Sequence, residues 1–281
     1  MSRFTSMLFA PFRRFFPPTP LVTVVALRGA IGVSGPGGRG LSASSVEASL
    51  VKAFKNKRSK AIVVSINSPG GAPAQSRMIM ERIRSLSIEK QIPVISYIED
   101  VGASGGYMIA LAGEEIFADP FAIVGSIGVI SAGFGFQDLI AKAGVERRVH
   151  TAGTNKMRLD PFQAQKDEDR EKFAALLEGT HKLFIDMVKT SRGDRITGDP
   201  DIAFSGDFFP AGEGEALGLI DGVGDLRAIL KERYGTDVKI ETINSQKSGL
   251  LARLTSGASA ALVDAAFQRV DDKTLRGRFG L

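Results

Sequence analysis

The sequence predicts an α/β fold built on a mostly parallel sheet with flanking helices, and three observations predict it. The runs LVTVVALRG (21–29), KAIVVSIN (60–67) and PVISYI (93–98) are apolar and β-branched at successive positions. That pattern marks strands buried on both faces. Segments with apolar residues at helical spacing lie between these runs, so each strand is expected to cross over through a helix to a parallel neighbour. Glycine-bearing turns close all three runs, as the tight exits of such strands require.

The elements follow in order. Residues 1–20, MSRFTSMLFAPFRRFFPPTP, mix Phe9, Phe12, Phe15 and Phe16 with Arg3, Arg13 and Arg14 and end in prolines. The apolar core is short, interrupted by Pro11 and followed by arginines, so no cleavable secretory signal is recognised. A basic aromatic leader of this kind suits an anionic membrane surface, or else a disordered leader or a strap over a partner subunit. After the first strand, Ser44 and Glu47 form a capping-box pattern ahead of a helix carrying Val46, Leu50, Val51 and Phe54. Met78–Leu86 is a second helix, and Tyr107–Leu111 begins a third. EEIFADP and AIVGSIGVI are expected as two short strands, 136–143 as a helix and VERRVHT (145–151) as another strand. The longest helix is expected over about 167–191, with Phe173, Leu177, Phe184 and Val188 on one stripe. AGEGEALGLIDGVGDL predicts a short helix, a turn and a helix capped near Asp225. The tail holds strand-like DVKIETI and a small-residue helix over about 249–270. The simplest division is a leader (1–20), one catalytic domain (21–234) and a C-terminal strand and helix extension (235–281).

Composition narrows the function classes. At 281 residues, 43% hydrophobic and 24% charged, the chain is long enough for one large core. It has no cysteine, which excludes disulfides, thiol nucleophiles and cysteine-ligated metals. Two histidines, His150 and His181, make a multi-histidine metal site a poor expectation. The net charge of +5 is spread along the chain, and its aromatics are not interleaved with basic runs, so nucleic acid is not an expected partner. No apolar run reaches the ~18 residues of a membrane-spanning helix.

The stretch 97–130 carries the candidate chemistry. Ser104, in GASGGY, sits where a strand gives way to a helix, a place that suits a nucleophile beside an anion site or a plain N-cap serine. A second glycine turn, Ser68-Pro69-Gly70-Gly71, ends the preceding strand. Carboxyl ends of parallel strands converge on one edge, so the N–H groups of Gly71 and Gly105 can face one cavity as an oxyanion hole. A serine nucleophile needs a base. His150 lies in an expected strand, His181 on the apolar side of the long helix, and no carboxylate is placed to orient either. Lys156, between Arg148 and Arg158, is an alternative that taken alone reads as a surface lysine. Such a base works only when neutral.

INSPGG (66–71), ASGGY (103–107), GSIGV (125–129), AGTNK followed by Pro161, and EALGLIDGVGDL occur in that order. With these motifs, residues 21–234 resemble the bacterial signal peptide peptidase A family of serine-lysine peptidases, and within it the short single-domain forms of the SohB type. The resemblance implies a ClpP/crotonase-like βαβ superhelical core with a helical C-terminal extension. It implies Ser104 as nucleophile, Lys156 as general base, Ser126 as the hydroxyl that orients the lysine, and Gly71 with Gly105 as the oxyanion hole. No metal or organic cofactor is implied. It also implies a homo-oligomer, a ring or dome with active sites near subunit interfaces, acting on signal-peptide remnants or other extended, unfolded or membrane-derived polypeptides. Two departures stand out: Met157 follows the lysine where the family usually has aspartate, and the family's membrane-spanning N-terminus gives way to the basic leader. The expected location is cytoplasmic, or peripheral at the inner face of a bacterial membrane. The rival expectations are a crotonase-like acyl-CoA enzyme and an inactive membrane-associated scaffold of the same fold.

Overall fold

A computed structural model describes residues 19–32 and 40–245. The leader (1–18 of it) and the helix expected over 249–270 lie outside the described residues. The strands are β1 (Leu21–Arg28), β2 (Ser59–Ser68), β3 (Val94–Ala103), β4 (Glu115–Ala118), β5 (Ile123–Gly125), β6 (Phe208–Pro210), β7 (Gly222–Val223) and β8 (Lys239–Asn244). The helices are α1 (Ala43–Phe54), α2 (Pro73–Lys90), α3 (Gly105–Ala110), α4 (Gln137–Lys142), α5 (Asp167–Arg192), α6 (Pro200–Ala203), α7 (Ala211–Ala216) and α8 (Leu226–Tyr234).

All eight strands join one sheet, in the order β6-β5-β3-β2-β1-β8, with β4 beside the first half of β3 and β7 beside β4. The β5–β6 pair is antiparallel and the other pairs are parallel. The predicted fold class is therefore the observed one. β8 pairs with β1 from Leu21↔Lys239 to Ala26↔Asn244, which makes the strand-like segment of the tail the outer strand of the main sheet.

The strands read as unbroken apolar runs because both faces are covered. One face presents Leu27, Ile62, Val64, Ile66 and Ile98 to Val46, Leu50 and Phe54 of α1, Ile79 and Ile83 of α2, and Tyr107 and Ile109 of α3. The other presents Val22, Val24, Ala61, Val63, Ile95 and Tyr97 to α8 through Leu226, Ile229, Leu230 and Tyr234. Each large side chain buried here contributes about 1.5–3 kcal/mol of transfer free energy. α1 starts two residues earlier than its expected cap: Ser42 is the N-cap and exchanges bonds with Ser45. Glu47 instead pairs with Arg82 of α2 and ties the two helices together.

Beyond β5 the chain leaves the sheet. The strand expected over 145–151 does not form; Val145 and Val149 are exposed and no strand lies beside them to supply ladder partners. This segment, α4, the 151–166 loop and the first half of α5 make an arm with its own contacts. Phe136 N–H donates to Pro161 O at 2.6 Å, Arg147 pairs with Asp160, and the Arg147 guanidinium lies 4.8 Å from the Phe162 ring centre. Of the expected α5 stripe, Phe184 and Val188 are buried, whereas Phe173 and Leu177 are half-buried.

α5 is fastened to the body at its C-terminus. Arg192, 2% exposed, donates to both oxygens of Asp221 (2.7 and 2.9 Å) and to Gly218 O at 2.9 Å. Asp221 also accepts from the Ile116 N–H at 2.7 Å. Burial alone would raise the Asp221 carboxyl, but these hydrogen bonds and the charges of Arg192 and Arg195 outweigh it and hold its pKa below the ordinary value. A folded-state pKa below the unfolded one adds stability that is present above the usual carboxylate range and is lost as pH falls through the folded value.

Two outcomes follow. Arg192→Met strands a half-buried carboxylate and lowers unfolding free energy by about 3–5 kcal/mol, whereas the paired change with Asp221→Leu costs less than the single one; urea denaturation measures both. The stability advantage of wild type over Asp221→Asn shrinks as pH drops below about 4.

Candidate active site

β3 ends at Ala103, and Ser104 turns the chain into α3 with φ 51° and ψ −121°. A non-glycine residue in this region is strained and persists because its surroundings over-determine it. Ser104 N–H donates to Gly125 O at 2.8 Å, pinning the turn to β5, and Ser104 O accepts from Met108 N–H at 3.0 Å, starting the helix. Sequence reasoning gave the two following glycines the task of easing the turn. Their backbones show another cause: the serine itself carries the positive φ, and the glycines permit close packing. A Cβ on Gly106 would lie 2.4 Å from Ser68 O, and one on Gly105 would lie 2.4 Å from Ser76 Oγ.

The SPGG turn at the end of β2 closes on the same point. A Cβ on Gly70 would lie 2.7 Å from Gly105 N and 2.8 Å from Ser104 Cβ, and one on Gly105 only 3.2 Å from Gly71 N. Gly71 has φ +144° and forms a bridge with Ile31. Ile31 N–H donates to Gly70 O at 2.9 Å and Ala72 N–H to Ile31 O at 2.8 Å, so the bridge engages the groups on either side of the Gly71 N–H. Gly105 is the first residue of α3, where an N–H has no intrahelical acceptor. The two amides expected to act together therefore meet beside Ser104.

Ser126 follows the Gly125 carbonyl that holds Ser104. It too has positive φ, 49°, and its N–H donates to Asp207 O at 2.7 Å. Both serines are half-buried and Gly71 is exposed, so the cluster opens to solvent. Beneath it, Tyr107 donates its hydroxyl to Leu219 O at 2.6 Å. Complete burial raises the Tyr107 pKa, which keeps the phenol a permanent donor that anchors α3.

Lys156 is not part of this cluster. It is exposed on the arm, and among the described residues no hydrogen bond joins its side chain to Ser104 or Ser126. His150 is also exposed on the arm. His181 Nε2 lies 2.7 Å from Ile127 O, the satisfied core-edge role expected for it. Sequence reasoning missed Ile31 and the Asp207 carbonyl, which hold the site through main-chain atoms and so leave no residue-type signal. Among the described residues there is no group of His, Asp and Glu able to hold a metal, and no helix long and apolar enough to cross a membrane.

Comparison with known proteins accords with this geometry. The model of peptidase family S49 matches residues 87–239. The chain is 49% identical over 282 residues to a Na(+)/H(+) antiporter NhaA of Brucella abortus, a match covering 96% of this chain and 38% of that protein. It thus spans less than two fifths of the antiporter's length. It is 31% identical over 229 residues to a Synechocystis protein named as a candidate protease, covering 78% of this chain and 81% of the relative. Among solved structures, a lysine-to-alanine variant of the 1510-N membrane-bound stomatin-specific protease, in complex with a substrate peptide, superposes with TM-score 0.52 at 18% identity, over 86% of this chain and 99% of that one. The region matched by the family model runs from the end of α2 to the start of β8, more than half of the 281 residues, and the chain belongs to peptidase family S49.

Proposed function

We propose that this chain is a serine endopeptidase with Ser104 as nucleophile and Lys156, brought by a neighbouring copy, as general base. The observation that carries the proposal is the meeting of the two glycine turns around the strained Ser104, with Gly71 N and Gly105 beside it. Neutral Lys156 takes the Ser104 proton as Oγ attacks a peptide carbonyl carbon. The resulting oxyanion rests on the Gly71 and Gly105 amides, each worth about 3–4 kcal/mol at a transition state of this type. The protonated lysine then gives its proton to the leaving amine, and water hydrolyses the acyl-enzyme. Ser126, next to the carbonyl that holds Ser104, is the hydroxyl that orients the amine.

Support for a lysine from another copy comes from the arm, which keeps Lys156 exposed and apart from Ser104's own hydrogen bonds. The substrates proposed are extended or unfolded polypeptides, including signal-peptide remnants, in keeping with family membership and with the peptide held by a protease of the same fold. The antiporter name belongs to a protein of which this chain covers 38%, and the matched family model is a peptidase, so antiport is not carried over. Residues 1–20 are proposed to rest on an anionic membrane surface, supported by their arginines and phenylalanines.

A fluorophosphonate probe should label the wild-type chain and leave Ser104→Ala unlabelled, while Lys156→Ala slows labelling by about 10²–10⁴-fold. Continued labelling of Ser104→Ala would overturn the assignment. Because the base acts in its neutral form, peptide cleavage rises with pH; equal rates at about pH 5 and about pH 9 would exclude a lysine base. Vesicles rich in anionic lipid should sediment with the full chain and not with a chain lacking residues 1–20.

A further inference from the structure

Residues 196–225 contain seven carboxylates and no lysine or arginine, within a chain of net charge +5. Two have local duties: Asp221 pairs with Arg192, and Asp225 caps α8. The other five, Asp199, Asp201, Asp207, Glu213 and Glu215, are exposed, and none has an ion-pair partner among the described residues. Thr197 Oγ1 donates to Ala216 O at 3.0 Å and closes the segment on itself, so the five share one compact rim. This rim adjoins the candidate site: Asp207 O accepts the Ser126 N–H, and a Cβ on Gly128 would lie 2.8 Å from Gly206 Cα. Unpaired like charges gathered on one surface repel each other and focus a field that a cationic partner relieves.

The complementary surface is on the same chain. Of the six cationic residues in 142–166, Arg147, Arg148 and Arg158 are engaged by Asp160, Glu146 and Asp169. Lys142, Lys156 and Lys166 are exposed and have no ion pair among the described residues. Large apolar side chains accompany both surfaces. Phe134, Leu139 and Val145 on the arm are 80%, 63% and 56% exposed, and Ile202 on the rim is 51% exposed. Apolar groups set among charges are the composition of a protein interface.

We propose that the acidic rim of one copy is the docking surface for the lysine-bearing arm of a second copy. The contact is head to tail, so repetition closes a ring or extends a filament. It deepens the peptidase reading, on which it rests for the role of Lys156: docking would deliver that lysine beside the neighbour's Ser126 and Ser104. Assembly and completion of the site then form one step, driven by opposite charge and weakened by salt.

The test measures mass, not activity. Sedimentation velocity of the full chain should show an assembled species that dissociates on passing from about 0.1 M to about 1 M NaCl, as the Debye length falls from about 10 Å to about 3 Å. The rim variant Asp201→Lys/Glu213→Lys/Glu215→Lys should self-associate at least about tenfold more weakly, and so should the arm variant Lys142→Glu/Lys166→Glu. Mixing the two variants restores one reversed arm facing one reversed rim, and assembly should return; recovery also shows that both variants are folded. Unchanged mass for the rim variant overturns the proposal. Unchanged mass with selective loss of cleavage of lysine-rich peptides overturns it as well, and assigns the rim to basic substrates. A wild-type chain that assembles and dissociates as described but never reacts with the serine probe leaves this interface standing and removes the peptidase reading.

Discussion

The site depends on how closely two main-chain turns approach each other. Gly70 and Gly71 at the end of β2 lie against Ser104 and Gly105 at the end of β3 with no room for a side chain between them. Two consequences come from that approach. It brings a pair of N–H groups to one point, and it helps hold Ser104 at a positive φ that the residue would not adopt alone. The approach in turn needs the parallel register of β2 and β3, which ends with Ser68 opposite Gly102. It also needs Ile31, whose bridge to Gly71 fixes that turn from the far side.

Stability and chemistry are distributed differently along the chain. The body draws its stability from two apolar layers and from the buried Arg192–Asp221 pair, which fastens the end of α5 beneath the α3 region. The arm has few buried side chains and holds itself together by ion pairs and a small aromatic cluster around Phe136 and Phe162. A segment so poor in apolar burial adds little to the fold of one copy. Its exposed lysines and apolar groups are suited to a surface that another copy supplies, and the acidic rim beside Ser126 has the opposite character.

Much of this was legible in the residues. Unbroken β-branched runs mark strands covered on both faces, and their alternation with helical periods leads to a parallel sheet. Sequence order alone puts SPGG and ASGGY at the same edge of that sheet, because carboxyl ends of parallel strands lie together. The strand expected over 145–151 failed for a physical reason: strand propensity in VERRVHT has no ladder to join within one copy. The capping box moved from Ser44 to Ser42 because Glu47 is engaged by Arg82 across two helices, a contact invisible to local pattern.

The sequence by itself determined the sheet, its order of crossovers and the two glycine turns, since these follow from burial, periodicity and backbone permissiveness. Only the tertiary structure decided that Ser104 carries the positive φ, that Gly105 and Gly106 serve packing, and that Ser126 is held by the Asp207 carbonyl. It alone put Lys156 on an exposed arm, apart from the serine. The division has one cause: local chemistry is written in residue types, whereas main-chain contacts between distant segments, and the partner that completes an exposed arm, depend on where the chain returns in space.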